Sequence, residues 1–276
     1  MPDVQHMLIL PVIGLLAGVL GGLLGIGGGL IIIPMLIITL GNAYGVGSLH
    51  VYKIAALATA IVLSIPAARQ HLRSGAVVKR MLPSIELFGV LGVILGVALA
   101  SLLAGDLTLW LQRIFGGCMI AFVVAQRVLR RAMNVGSSGA GGIDRRVSPL
   151  PSRWMLIGTR VGLPSGVISG LLGIGGGVWA VPAQNLWLGI RLQSAIANST
   201  CMIVGVAISA AIFQSIAVAR MSDLNWTDGW LLALFLSPGA ILGGSLGGRL
   251  THILPVNTLR LIFDGVLILT GVRLLL

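Results

Sequence analysis

The 276 residues are 57% hydrophobic and 9% charged, with a mean hydropathy of +1.05. That leaves too little polar surface to cover a water-soluble globule and predicts a polytopic membrane protein. The net charge of +11 does not read as a nucleic-acid surface, because the basic residues sit between apolar segments and not among aromatics on one face, so topology explains them.

Along the chain, apolar segments run over about 7–40, 50–68, 82–104, 108–129, 154–188, 194–219, 229–250 and 256–276. The N-terminal stretch carries no Lys or Arg, lacks the basic region of a cleaved signal, and is expected to be retained. The first segment holds the string GLLGIGGG at Gly22 to Gly29, followed by Pro34. At about 34 residues it is too long for one crossing of roughly 20 residues and too short for two. A discontinuous or re-entrant element is therefore predicted. Arg69, Arg73, Lys79 and Arg80 cluster after the second segment, and Arg127, Arg130, Arg131, Arg145, Arg146 and Arg153 surround the fourth and the stretch after it. Both basic loops are expected on the cytoplasmic side. Residues 134–152, with GSSGAGG, Pro149 and Pro151, show no apolar period and read as a linker between a first transmembrane repeat, 1–133, and a second, 153–276. In the second half GLLGIGGG returns at Gly170 to Gly177, followed by Pro182.

An offset of 148 residues gives identity at 11 of 17 positions between Gly18 and Pro34. The same offset pairs Leu111, Ile114, Phe115 and Gly117 with Leu259, Ile262, Phe263 and Gly265. The expected fold is all-α and polytopic: two homologous repeats, each a glycine-broken helical hairpin plus three transmembrane helices, about 8–10 membrane segments in all. The Lys and Arg distribution fits parallel and inverted repeats almost equally; the uncharged N-terminus and the two opposed gates that inversion creates favour inverted topology. Gly92/Gly96 and Gly239/Gly243/Gly247 have the small-xxx-small spacing of closely packed membrane helices.

Helix-breaking glycines inside hydrocarbon leave amides unsatisfied unless they are buried in protein or line a wet cavity. After GIGGG a short helix begins, so the free N–H groups become a helix amino end that attracts anions, and glycine lets a ligand approach the backbone closely. The candidate binding residues are Gly25, Gly27, Gly28 and Gly29 with Gly173, Gly175, Gly176 and Gly177. Thr59, Asn198 and Ser199 can add neutral donors, and Gln184 and Asn185 are weaker candidates of the same kind. Glycines that serve only packing are the competing reading. Asp264, four residues after Arg260 and opposite Gly116 in the other repeat, is a candidate for proton coupling, or else a partner of Arg260. Arg160 and His71 join it as candidates for coupling or gating. Arg160 and Lys53 could neutralise an anion on its way in, but read first as interfacial side chains whose charges snorkel outward. Cys118 and Cys201 lie in apolar segments as packing residues. No His pair has metal-ligand spacing, and no P-loop Lys-Ser/Thr follows the glycines, so neither a metal, a cofactor, nucleotide binding nor enzyme activity is expected.

The duplicated GLLGIGGG with its proline, together with the stretch His71-Leu72-Arg73-Ser74-Gly75-Ala76-Val77, resembles the sulfite exporter TauE/SafE family, also called the toluene sulfonate uptake permeases. The resemblance covers nearly the whole chain. It implies a carrier of small sulfur-containing anions such as sulfite, sulfonates or sulfoacetate in a bacterial inner membrane, with the sulfur oxyanion and membrane lipid as partners, no nucleic acid, and homo-oligomerisation open. The family's Gly/Ala-Thr-Ser cluster after the hairpin reads here Ala58-Thr59-Ala60 and Ala197-Asn198-Ser199, so its Thr-Ser pair is intact in neither copy. A non-transporting membrane scaffold, or a carrier of another organic anion, is the alternative.

Overall fold

The computed structural model describes residues 4–41, 48–102, 117, 120, 123, 124, 151–220 and 224–275. Most of the fourth apolar segment and most of the linker lie outside them. In the first half, α1 (Val4–Leu24) is followed by the first glycine break, α2 (Gly29–Leu40) and α3 (Ser48–Arg73). A single 3-10 turn (Lys79–Met81) then leads into α4 (Leu82–Leu102). In the second half, α5 (Pro151–Ile157) passes through a π-helical turn (Gly158–Gly162) into α6 (Leu163–Leu172). The second break, α7 (Gly177–Trp187), α8 (Leu192–Ala219), α9 (Trp226–Ile253) and α10 (Val256–Leu275) follow. Among the described residues every regular element is helical, and five helical stretches are long and apolar enough to cross a membrane. The second apolar segment is longer than its hydropathy implies, because α3 continues through the basic residues to Arg73.

Each glycine cluster ends one helix and starts another, as expected of a broken element. At 12 and 11 residues, α2 and α7 are each about 17 Å long, roughly half the hydrocarbon thickness.

Close backbone packing, licensed by missing side chains, sets the helix pairing. Gly14, Gly18 and Gly22 of α1 meet Leu236, Ala240 and Gly244 of α9, while Gly239, Gly243 and Gly247 meet Pro11, Leu15 and Val19. The other half repeats the arrangement: Gly162, Gly166 and Gly170 meet Ile85, Gly89 and Val93 of α4, and Gly92 and Gly96 meet Leu163 and Val167. In both pairs the numbers rise together, so α1 runs parallel to α9, and α6 to α4. Each half thus lays its first helix against a helix of the other half. Between α3 and α8 the order reverses. His50 bonds Gln214, whereas Val78, just past the end of α3, bonds Asn198 near the start of α8. These two helices are antiparallel and form the centre of the bundle.

Exposed leucines and isoleucines such as Leu87, Leu91 and Leu95 on α4 and Leu234 and Leu242 on α9 face outward, as lipid-facing positions do. Trp187 stands at one end of the bundle and Trp226 and Trp230 at the other, the interfacial level where indole rings collect. Arg69, Arg73, Lys79, Arg80, Arg191 and Arg249 lie exposed at the Trp187 end, and Arg220 at the opposite end.

Candidate functional site at the paired glycine breaks

The two breaks have nearly the same shape. φ is +66°, +85° and +73° at Gly25, Gly27 and Gly28, and +76°, +85° and +73° at Gly173, Gly175 and Gly176. These are left-handed values that a side chain resists by about 1–2 kcal/mol. The chain then re-enters a right-handed helix, with Gly28 and Gly176 as the residues before α2 and α7.

The breaks meet each other directly. A Cβ on Gly27 would stand 3.4 Å from Gly175 Cα, and one on Gly175 would stand 3.4 Å from Gly27 Cα. Gly29 packs in turn on Gly173 and Ile174, and Gly177 on Gly25 and Ile26. Ile203, near the middle of α8, reaches both breaks. The amino ends of α2 and α7 therefore start side by side at mid-depth and lead away from each other. Residues 21–30 and 170–178 are all buried. The first hydrogen bonds into α2 run from the Ile31 and Ile32 amides to Gly28 O, and those into α7 from Trp179 and Ala180 to Gly176 O. No acceptor among the described residues takes the N–H groups of Gly27 to Leu30 or of Gly175 to Val178.

The candidate polar side chains divide. Ser199 donates to Gly25 O at 2.7 Å and so belongs to the first break. Thr59 is fully buried but donates to Ala55 O of its own helix at 2.7 Å. Asn198 turns sideways: its amide donates to Gln184 Oε1 at 2.9 Å and its oxygen accepts from the Val78 N–H at 2.7 Å. Asn185 donates to Ile190 O at 2.8 Å. Gln184 and Asn198 thereby brace α7 to α8 and hold the loop after α3.

Lys53 departs from expectation. It does not snorkel: it is 2% exposed, and Nζ donates to Leu171 O at 2.9 Å. The ammonium caps the carbonyl end of α6, which favours positive charge, and its stem packs on Gly173. Against Gly25 the same place is taken by Ile196, so charge enters only one side of the paired structure. Arg160 is exposed in the π-helical turn, where its carbonyl accepts from Trp179 Nε1 at 3.1 Å. Asp264 lies buried on α10, and Arg260 Nε on the same helix is buried without a hydrogen bond. His71 is fully buried, with Nδ1 2.9 Å from His252 Nε2, and Ser74 Oγ is also 2.9 Å from that nitrogen. At the other end of α3, His50 Nδ1 is 3.2 Å from Gln214 Nε2. Sequence reasoning missed Ile203, the two histidine contacts, and Glu86 on α4; a lone acid in an apolar segment was the available signal for Glu86.

The profile of the sulfite exporter TauE/SafE family matches residues 10–274. The chain belongs to that family. It is a multi-pass membrane protein of a membrane transporter family. Similar relatives include the probable membrane transporter protein MamO of Magnetospirillum gryphiswaldense, 28% identical over 99% of this chain. The probable membrane transporter protein YunE of Bacillus subtilis is 26% identical over 98% of both chains. Sulfite exporter TauE/SafE family protein 3 of Arabidopsis thaliana is 33% identical, over 37% of this chain and 21% of its own length. The match spans 45% of the length of MamO. No solved structure matches the chain.

Proposed function

We propose that this TauE/SafE member is a secondary carrier of a small sulfur-containing anion of the sulfite, sulfonate or sulfoacetate class, and not an enzyme. The observation that carries this reading is the pair of amide clusters, Gly27 to Leu30 and Gly175 to Val178, that find no acceptor at the apposed amino ends of α2 and α7. Unmet amides in a membrane interior cost several kcal/mol each, roughly, and an oxyanion with several acceptor oxygens removes that cost while answering two helix dipoles. Gly25 and Gly173 shape the turns, Ser199 steadies the first, and Lys53 supplies the nearest buried positive charge. Thr59 and Asn198 become ligands once their present hydrogen bonds exchange. In the conformation described the breaks touch, so we read it as an occluded state in which the solute enters as the two halves part.

The antiparallel α3 and α8, and first helices laid against the opposite half, support two inverted repeats over 1–133 and 153–276 joined by the linker 134–152. The basic end holding Arg69, Arg73, Lys79 and Arg80 is read as cytoplasmic, with the linker on the same side of a bacterial inner membrane. His71 gates that side, and Arg160 and Asp264 are further candidates for gating or coupling. Neither a cofactor nor nucleic acid is required.

Flux of labelled sulfite into proteoliposomes, with sulfonates, sulfoacetate and carboxylates as competitors, tests the reading. Saturable counterflow inhibited by sulfur oxyanions is the expected result. Saturable flux inhibited only by carboxylates would move the assignment to another organic anion. Flux equal to that of empty vesicles for every anion leaves the scaffold role.

A further inference from the structure

We infer that Glu86 is a proton-binding site of the carrier, seated in the groove between α4 and α8. This rests on the carrier reading for its role in transport, although proton binding itself does not. Glu86 lies within the membrane span Lys79–Ser101. Its carboxylate lies on the bare Cα of Gly205, where any side chain would collide with it. Gly205 is at the middle of α8, so the carboxylate sits at mid-depth and not at an interface. Among the described residues no hydrogen bond or ion pair reaches it.

The groups that face it are few. From α8 comes the Cys201 thiol, one helical turn before Gly205. The cations on neighbouring elements, Lys79 and Arg80 in the 3-10 turn and Arg160 in the π-helical turn, are exposed and form no ion pair with it. An unpaired acid at this depth is too costly to be incidental. Gaining one proton from water on one side turns the carboxylate into a neutral carboxyl, and releasing that proton to the other side restores it, with no further reactant.

Two features place this proton on the moving part. The groove joins a helix of each half, so relative motion of the halves opens or closes it. It is also one-sided. Gly89, Gly92 and Gly96 make the contacts that Ala240, Gly243 and Gly247 make on α9, and three residues before the first of each set stand Glu86 and Ser237. Ser237 donates to Ala233 O of its own helix. Among the described residues, that position carries an acid in one groove and a serine in the other.

The test uses the full chain in proteoliposomes. Infrared difference spectra between acid and alkaline buffer should contain a protonated-carboxyl band that E86Q lacks and D264N retains; G205A, whose methyl displaces the carboxylate, should shift the pH at which the band is half-developed. Spectra of E86Q identical to the wild type overturn the proposal, as does a titration that moves when potassium is replaced by sodium, which would make the site a cation site. An imposed pH gradient should accelerate labelled sulfite flux in the wild type, and E86Q should lose that acceleration while keeping gradient-free exchange. Acceleration retained in E86Q, or lost only in D264N, overturns coupling through Glu86. A wild type that moves no sulfite counts against the carrier reading alone, and the infrared comparison still decides Glu86.

Discussion

Alanine at Gly28 would have to hold φ +73° and place its methyl 2.8 Å from Leu63 Cδ2 and 3.1 Å from Ala17 O. About 1–2 kcal/mol of backbone strain alone predicts that Gly28→Ala lowers the unfolding temperature in detergent, whether or not an anion binds there. The glycines are therefore poor levers for testing ligand contact, and the side chains beside them are better. Ser199→Ala deletes the bond to Gly25 O and should cost about 0.5–1.5 kcal/mol, read as a drop in unfolding temperature with membrane insertion intact. Lys53→Met keeps a long apolar stem but removes the buried ammonium. On the carrier reading sulfite should stabilise the protein against heat and this variant should weaken that effect; an unchanged sulfite-induced shift would make Lys53 a structural cap only. The charge of Lys53 is visible in the sequence. Its place is not, because only the tertiary fold brings α3 against the carbonyl end of α6.

Close helix packing depends on strips of small residues, and those strips can be blocked. Gly243→Leu forces a branched side chain into Leu15 and Val19 of α1, and overpacking of this kind costs about 1–3 kcal/mol or more. A sharp loss of folded, monodisperse protein in detergent is expected, with Gly92→Leu giving the same loss at α4 and α6. An exposed change such as Leu234→Ala should leave the yield unaltered. The broken helices were legible from the glycine cluster and its proline, since no continuous helix accommodates three successive glycines at that depth cheaply. The small-xxx-small spacing on α4 and α9 was legible too. What escaped was the partner of each strip: the glycine strip of α1 packs on α9, a pairing that depends on residues more than 200 positions apart and that no local pattern encodes. The polar residues were similarly legible by type but not by aim, as Asn198 shows by turning to Gln184.

For the whole molecule, the helix directions put residues 69–80, 188–191 and 249–256 at one end of the bundle and residues 41, 220 and 224–226 at the other. In a background where Cys118 and Cys201 are replaced by alanine, an impermeant maleimide added to intact spheroplasts should label Arg220→Cys and spare Ser74→Cys; the reverse pattern would turn the proposed orientation over. The ends also differ in how they are tied. At one, two imidazoles and the Ser74 hydroxyl join α3 to α9; at the other, His50 meets a single glutamine amide across α3 and α8. On the carrier reading, jaws with unlike latches would not open with equal ease, so at rest one mouth would be shut more often than the other. Such a bias would leave the final balance of solute to the gradients, but it would decide which compartment the empty protein faces while it waits and hence from which side a scarce solute is captured faster.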